Sequence, residues 1–335
     1  MNPNGLAPLV VAVIPTFRAR STIGRVIERA LEVVDIVIVV DDCCPELSHE
    51  VVERSERVRV ICHDVNRGVG GATKTGMIAA LEIGADIIVK IDADDQMDVS
   101  FVPAIVKVFG QYPEVDLVKG NRFADAATLR TMPLARLIGN AGLTLLVKFS
   151  SGYWTITDPT NGFISVRGDA LRRIDVASLA DRYFFEIDLL CAMGLRRGVI
   201  CELDMPAIYG GETSSLSIPS VLFSFPPKLF MRFLRRLLVN YLVVEINVGT
   251  LCGALGFPLL LFAIVFGGHE WYTSLSTGVS RPTGTIVLAL LLFMIGFQLS
   301  LQALLYDVQF STKTIKATRE HHPARRTAYD PEVRR

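Results

Sequence analysis

Ile87-Ile88-Val89-Lys90-Ile91-Asp92-Ala93-Asp94-Asp95-Gln96-Met97-Asp98 decides how the chain is read. The first five residues form a short β-branched run, the pattern of a buried strand, and the acids begin where that run stops. Asp92, Asp94 and Gln96 stand at i, i+2 and i+4. Hard oxygen donors alternating past a strand end can converge on one divalent cation. Mg²⁺ or Mn²⁺ takes carboxylate and carbonyl oxygens and keeps positions for phosphate oxygens. The spacing therefore predicts a metal–diphosphate site at the carboxyl edge of a sheet. A polar turn of solvated acids shares the short pattern, so context decides between the two.

Leu9-Val10-Val11-Ala12-Val13-Ile14 predicts a first strand, stopped by Pro15-Thr16. Ile23, Val26, Ile27, Ala30 and Leu31 recur at helical spacing over 22–31. A second strand over 36–40 ends in Asp41-Asp42, and a third spans 58–62. A helix follows over 72–83, then the fourth strand at 87–91. Strands alternating with helices imply an α/β domain, a mostly parallel sheet wound by helices. Such sheets bind ligands beyond the carboxyl ends of their strands, where Asp41-Asp42 and 92–98 both fall. Asp41 or Asp42 is either a carboxylate accepting from a base or ribose, or an ordinary turn acid.

Asn66-Arg67-Gly68-Val69-Gly70-Gly71-Ala72-Thr73-Lys74-Thr75-Gly76 leads into a helix through glycines. Walker A needs Gly directly before Lys-Ser/Thr, but Thr73 precedes Lys74; the dinucleotide fingerprint needs a third Gly where Thr73 stands. What remains is a loop whose backbone can approach a ligand closely, or one that packs tightly against its own helix.

The 335 residues are 50% hydrophobic with zero formal charge, and the mean hydropathy is +0.41. The apolar excess sits in the last third; residues 1–217 suffice for one domain with a full core. Zero charge gives no footprint for nucleic acid. Six cysteines without zinc-type spacing fit a reducing compartment. The run 9–14 is too short for a signal peptide, so the first domain is expected in the cytosol.

Pro15-Thr16, Asp41-Asp42, the 66–76 loop and Asp92-x-Asp94-x-Gln96 occur in this order. Together they resemble glycosyltransferase family 2, with its GT-A (Rossmann-like) fold. Gly120-Asn121-Arg122-Phe123, Asp158-Pro159-Thr160-Asn161-Gly162-Phe163 and an apolar C-terminal hairpin resemble its polyprenyl-phosphate glycosyltransferases, such as dolichol-phosphate mannose synthases and undecaprenyl-phosphate glucosyltransferases. The resemblance implies transfer of a hexose from a UDP- or GDP-sugar to a polyprenyl phosphate. It implies Mg²⁺ or Mn²⁺ on Asp92, Asp94 and Gln96. Nucleotide-sugar contacts are implied for Pro15, Thr16, Asp41, Asp42, Asn66 and Gly71, together with Lys74 and Asp92. Arg122 and Arg136, with Asn140 one turn on, are implied to meet the acceptor phosphate. Asp94, Asp158, Arg122 and Arg136 form the implied catalytic set. A phosphate monoester has its second pKa near ~6, so a strong base is not required and Asp158 can instead position the sugar or an arginine. Cys43-Cys44-Pro45-Glu46 replaces the family's usual Gly-Ser pair, and the loop 209–216 lacks its usual basic residues.

Over 133–149, Leu134, Leu137, Ile138, Ala141 and Leu145 form an apolar stripe, and Arg136, Asn140, Thr144 and Lys148 line another face. That suits a helix at a membrane interface or an amphipathic core helix. The helix 183–190 brings Glu186 and Asp188, either near the site or facing water. Lys228, Arg232, Arg235 and Arg236 mark a basic interfacial segment over 218–239 beside anionic headgroups. Transmembrane helices are expected at 240–267 and 284–306, and a basic tail at 307–335. Basic residues outside both outer ends put the termini in the cytosol. Glu245 and Asn247 head the first span, as functional groups or as interface residues. The implied partners are a nucleotide sugar, polyprenyl phosphate and a lipid bilayer, with a homo-oligomer left open. Two rivals remain: a glycosyltransferase extending a lipid-linked glycan, and a non-catalytic membrane assembly subunit.

Overall fold

The computed structural model describes residues 7–123, 134–205, 218–244, 246–310 and 312–317. The expected loop at 209–216 and Glu245 lie outside these. The chain divides into two compact units, Met1–Phe230 with Thr312–Arg335, and Met231–Ser311.

The first unit carries one sheet. Its strands are β1 (Val10–Thr16), β2 (Ile36–Asp41), β3 (Val58–Cys62), β4 (Ile87–Lys90), β5 (Val115–Asn121), β6 (Ile164–Arg167), β7 (Val199–Asp204) and β8 (Thr314–Ala317), in the order β3-β2-β1-β4-β6-β5-β7-β8. All neighbours are parallel except β6, which runs antiparallel to β4 and β5. Both faces are covered, so the central strands are apolar without alternation. On one face Ala12, Ile14, Val37 and Val39 pack with α1 (Ile23–Leu31) and, later in the chain, α3 (Val102–Gln111). On the other, Val11, Val13, Ile38 and Val40 pack with α2 (Val69–Glu82) and α6 (Phe185–Leu195). Helix α4 (Leu134–Ser151) buries Val147 in a third cluster with Phe184, Phe225 and Leu229, and α5 is the short Gly168–Arg172.

Strand order reverses direction between β1 and β4, which opens a crevice at their carboxyl ends. Because β6 is antiparallel, the loop before it arrives at that same end. Lys90 and Lys119 flank Ile164 in one row across β4, β6 and β5.

Helix α7 (Ile218–Leu238) runs through Pro226 and Pro227, residues that ordinarily interrupt a helix. Phe225 and Leu229 are buried against Phe184 and Val147, contacts that offset the backbone bonds a proline removes. In the second unit a π-helical turn (Val239–Val244) precedes α8 (Val248–Thr277) and α9 (Thr283–Gln309). Both are long and apolar enough to cross a bilayer, with only 22% and 11% of their most apolar windows buried. That exposure is unlike a soluble core helix. Gly256 faces the backbone of Ser300 and Gly296 that of Leu260; a Cβ would come within 2.6 and 2.5 Å of their amide nitrogens. Small residues thus let the two backbones approach. Asn247 caps α8 in a reciprocal box with Thr250. Arg236 departs from the expected basic face: its guanidinium is buried on Asp307 at 2.7 and 2.9 Å, and Tyr241 joins the same carboxylate. Of the expected tail, 307–309 end α9 and Thr314–Ala317 form β8.

Helix α2 lies so close to the sheet that a Cβ on Gly76 would meet Val13 Cγ1 at 2.3 Å. Gly76→Ala should cost about 1–3 kcal/mol by overpacking, read as a lower melting temperature in detergent.

Candidate active site

The carboxyl ends of β1 and β2 are rigid because their polar groups bond to their own chain. Thr16 Oγ1 donates to the Ile14 carbonyl, and the Thr16 carbonyl accepts from the Asp42 amide. Pro15 beside it is buried. Asp41 Oδ1 accepts from the Cys44 amide at 2.7 Å, and Oδ2 from the His49 amide at 3.0 Å. Asp42 accepts from the Arg67 and Gly68 amides at 2.8 and 2.7 Å and meets His63 Nδ1 at 2.8 Å. Both carboxylates are nearly inaccessible, 1% and 2% exposed. They act as cores of the loops that follow them.

The glycine loop shows the same economy. Gly71 donates to the Asp181 carbonyl, and a Cβ on Gly70 would sit 2.4 Å from the Ala180 carbonyl oxygen. Lys74 Nζ donates to the Leu179 and Ala177 carbonyls and pairs with Asp181. The close approach is to residues 177–182 of the chain itself. Asn66 is exposed and donates to the Asp42 carbonyl.

Beyond β4 the residues come together differently. Lys90 is 1% exposed. Its ammonium meets Asp92 Oδ1 at 2.6 Å and Glu186 Oε1, from α6, at 3.1 Å. Burial opposes its charge, but Asp92 and Glu186 more than offset it and raise its pKa above the ordinary lysine value. Asp92 Oδ2 lies against Gly162, where a Cβ would stand 3.1 Å away. Asp94 is exposed and accepts from the Gln96 amide. Between them Asp95 has φ +60, held by Arg29 of α1 at 2.7 Å. Thr22 Oγ1 fixes the Ala93 carbonyl at 2.6 Å.

The other end of the loop before β6 holds Arg122. Its Nε and Nη2 reach the two oxygens of Asp158 at 2.8 and 3.0 Å, and the Asp158 side chain is wholly buried while Arg122 is 37% exposed. Such a fork fixes the direction of the guanidinium. Residues 158–162 therefore carry the Arg122 partner at one end and the Asp92 neighbour at the other. Arg136 lies on α4, but its side chain is outside the described residues; Asn140 is half-buried one turn on. Asp188 is buried and accepts from the Ala180 amide.

The donor types suit the implied cation, with carboxylate oxygens on Asp92 and Asp94 and an amide oxygen on Gln96, but among the described residues no group of three His, Cys, Asp or Glu converges, and Asp92 is paired with Lys90. A Mg²⁺ or Mn²⁺ site of this kind takes one or two carboxylates and is completed by phosphate oxygens and water.

Lys90, Lys119 and Glu202 were not singled out in the sequence. Their signal is a charge inside a run that otherwise reads as buried. Lys119 donates to the Asn161 carbonyl and is fully buried. Burial pulls its pKa down to about 8, against the carboxylates of Asp158, Glu186 and Glu202.

The sequence profile of Glycosyl transferase family 2 matches residues 11–175. The chain belongs to this family and has its GT-A fold. A Methanococcus voltae UDP-N-acetylglucosamine–dolichyl-phosphate N-acetylglucosaminyltransferase is 28% identical over 68% of this chain and 95% of its own. A Micrococcus luteus undecaprenyl-phosphate mannosyltransferase is 27% identical over 54% of this chain and 75% of its own. The Mycobacterium tuberculosis glucosyl-3-phosphoglycerate synthase structure has the same fold, with a TM-score of 0.50 at 21% identity over 68% of this chain and 80% of that one.

Between pH 8 and the ordinary lysine value of ~10.4, unfolded Lys119 holds a proton that the folded residue has released. Stability therefore rises with pH across that window. Lys119→Met should remove this rise, as measured by denaturant midpoints at pH 7.5 and 10 for both proteins.

Proposed function

We propose that the protein transfers a hexose from a nucleotide sugar to a polyprenyl phosphate at the cytosolic face of a membrane. The observation that carries this is the loop 158–162, which joins an acceptor-type guanidinium, Arg122 on Asp158, to the acid-bearing turn after β4. Two relatives, named for different sugars, share a polyprenyl phosphate acceptor, so acceptor class is the property that supports transfer by likeness. The two apolar helices supply a lipid-facing anchor. They lie between β7 and β8 of one sheet, which favours a common side for the catalytic unit and the segment after the hairpin.

In this reading the diphosphate of the donor sits over Asp92, Asp94 and Gln96, and the base lies toward Thr16 and the loops that Asp41 and Asp42 hold. Mg²⁺ or Mn²⁺ on that trio would supply charge stabilisation at the diphosphate. Lys90 keeps Asp92 in place from below. Arg122, aimed by its fork on Asp158, meets the lipid phosphate, aided by Arg136 on α4. The ionised phosphate oxygen attacks the anomeric carbon, the bond to the diphosphate breaks, and the sugar inverts.

The test is a panel of radiolabelled UDP- and GDP-sugars with undecaprenyl phosphate and Mg²⁺ or Mn²⁺. Label should enter the organic phase for one donor, as the inverted anomer. Label appearing only when a glycan-bearing lipid is supplied would overturn the acceptor assignment. Asp94→Ala should lower transfer by ~100-fold or more while the protein stays folded in detergent; unchanged transfer would remove the diphosphate role. Arg122→Lys loses the bidentate fork and should raise the acceptor KM about tenfold with the donor KM unchanged.

A further inference from the structure

Glu202 is a carboxylate in β7, only 1% exposed, that none of the roles above uses. Its Oε1 accepts from the backbone amides of Thr157 and Asp158, at 2.7 and 3.0 Å. Its Oε2 is buried without a hydrogen-bond partner. Burying a carboxylate in a strand interior is costly unless it is bonded, and here half of its capacity goes to one dipeptide. That dipeptide contains the acid that aims Arg122.

Strand β8 closes the arrangement. It pairs in parallel with β7, placing Lys316 opposite Glu202. Lys316 Nζ donates to Thr157 Oγ1 at 3.2 Å, and Ala317 is buried in the core that packs Leu203. Without β8, β7 would be the edge of the sheet and Glu202 would lie beside water. The carboxylate would then exchange its two amides for solvent at little cost, and the 157–158 backbone would loosen. β8 begins shortly after α9 ends, with residues 310–313 between them.

We infer that Glu202, covered by β8, is a positioning residue for the acceptor side: it holds the Thr157–Asp158 backbone so that Asp158 presents Arg122 to the acceptor phosphate. The inference rests on the proposed acceptor chemistry, but its physical part does not. Glu202 touches neither substrate and acts through Asp158. Its loss should change acceptor handling and spare the donor side, because Asp41, Asp42 and Asp92 have separate partners.

The experiment uses the full chain in detergent and compares wild type with Glu202→Gln, Glu202→Ala and Ile315→Asp. The last undocks β8 by placing a charge on its core-facing side and leaves Glu202 in place. Hydrogen exchange over the peptide containing Thr157 and Asp158 is read first. The wild type and Glu202→Gln, whose amide oxygen still accepts, should be protected; Glu202→Ala and Ile315→Asp should exchange at least tenfold faster there. Acceptor KM or turnover should then worsen about tenfold or more in the same two variants. The affinity for UDP or GDP, whichever the wild type binds, should stay within twofold. Equal protection in all four proteins would overturn the inference. So would parallel loss of acceptor turnover and nucleotide affinity, the sign of a general folding role. Should Glu202→Ala not fold, Ile315→Asp against Glu202→Gln decides on the same readouts. If wild type transfers to a different phosphate acceptor, the proposed function fails, yet the exchange result and that acceptor's KM still judge Glu202.

Discussion

One buried ammonium governs the site. Lys90 sits in a sheet covered on both faces, where an uncompensated charge would cost several kcal/mol. It remains charged because β4, α6 and the loop before β6 converge on it, with Asp92, Glu186 and the Gly162 carbonyl around one nitrogen. Gly162 belongs to the same constraint, since a side chain there would crowd both Asp92 and Lys90. Lys119 shows the alternative. It lies in the same row beyond Ile164, yet a carbonyl meets it and the carboxylates act from farther off, so burial dominates. Two lysines of one row thus have pKa values shifted in opposite directions because of what surrounds each nitrogen.

The sequence carried the first four strands, because a strand buried on both faces is a continuous apolar run and stands out from helical spacing. β6 is a four-residue strand containing Ser165 and Arg167, too short and mixed to register. β8 is invisible locally, because its partner β7 lies more than a hundred positions earlier and only the fold joins them. The same division applies to the site. Asp92, Asp94, Arg122 and Asp158 belong to short local motifs, and the structure brings their elements to one edge. What spacing cannot reveal is whether a polar group is already occupied. Asp42 and Lys74 have the residue types a ligand would want, but the backbone amides of 67–68 and the carbonyls of 177 and 179 engage them. Occupancy is a tertiary property, set by loops that meet only after the sheet forms.

Chain connectivity also constrains the membrane hairpin. β7 and β8 are neighbours in one sheet, and both apolar helices lie between them in sequence. A single crossing would leave β8 across the bilayer from its partner, and the ladder could not form. Two crossings would return the chain to its starting side. The close Gly256 and Gly296 approaches make such a return compact, and the Arg236–Asp307 pair ties the residues before α8 to the end of α9. A buried ion pair of this kind is a weak source of net stability but a strong constraint on register, since breaking it strands a charge.

The two sides of the site are prepared to different degrees, which bears on where motion can occur. On the side of β1 and β2, buried carboxylates already hold the loops by their amides, so that surface is preformed. Past β4, Asp94 is exposed and Asp95 holds a left-handed conformation that non-glycine residues adopt at a cost of ~1 kcal/mol or more. Arg29 of α1 and Thr22, just before that helix, restrain this turn from the side, while Asp94 remains exposed. A strained turn held at its flanks has a small set of alternative shapes. A bound group could select among them at modest cost, whereas rearranging the Asp42 loop would break three bonds at once. Adjustment therefore belongs to the turn past β4, and the Asp41–Asp42 side is the fixed reference.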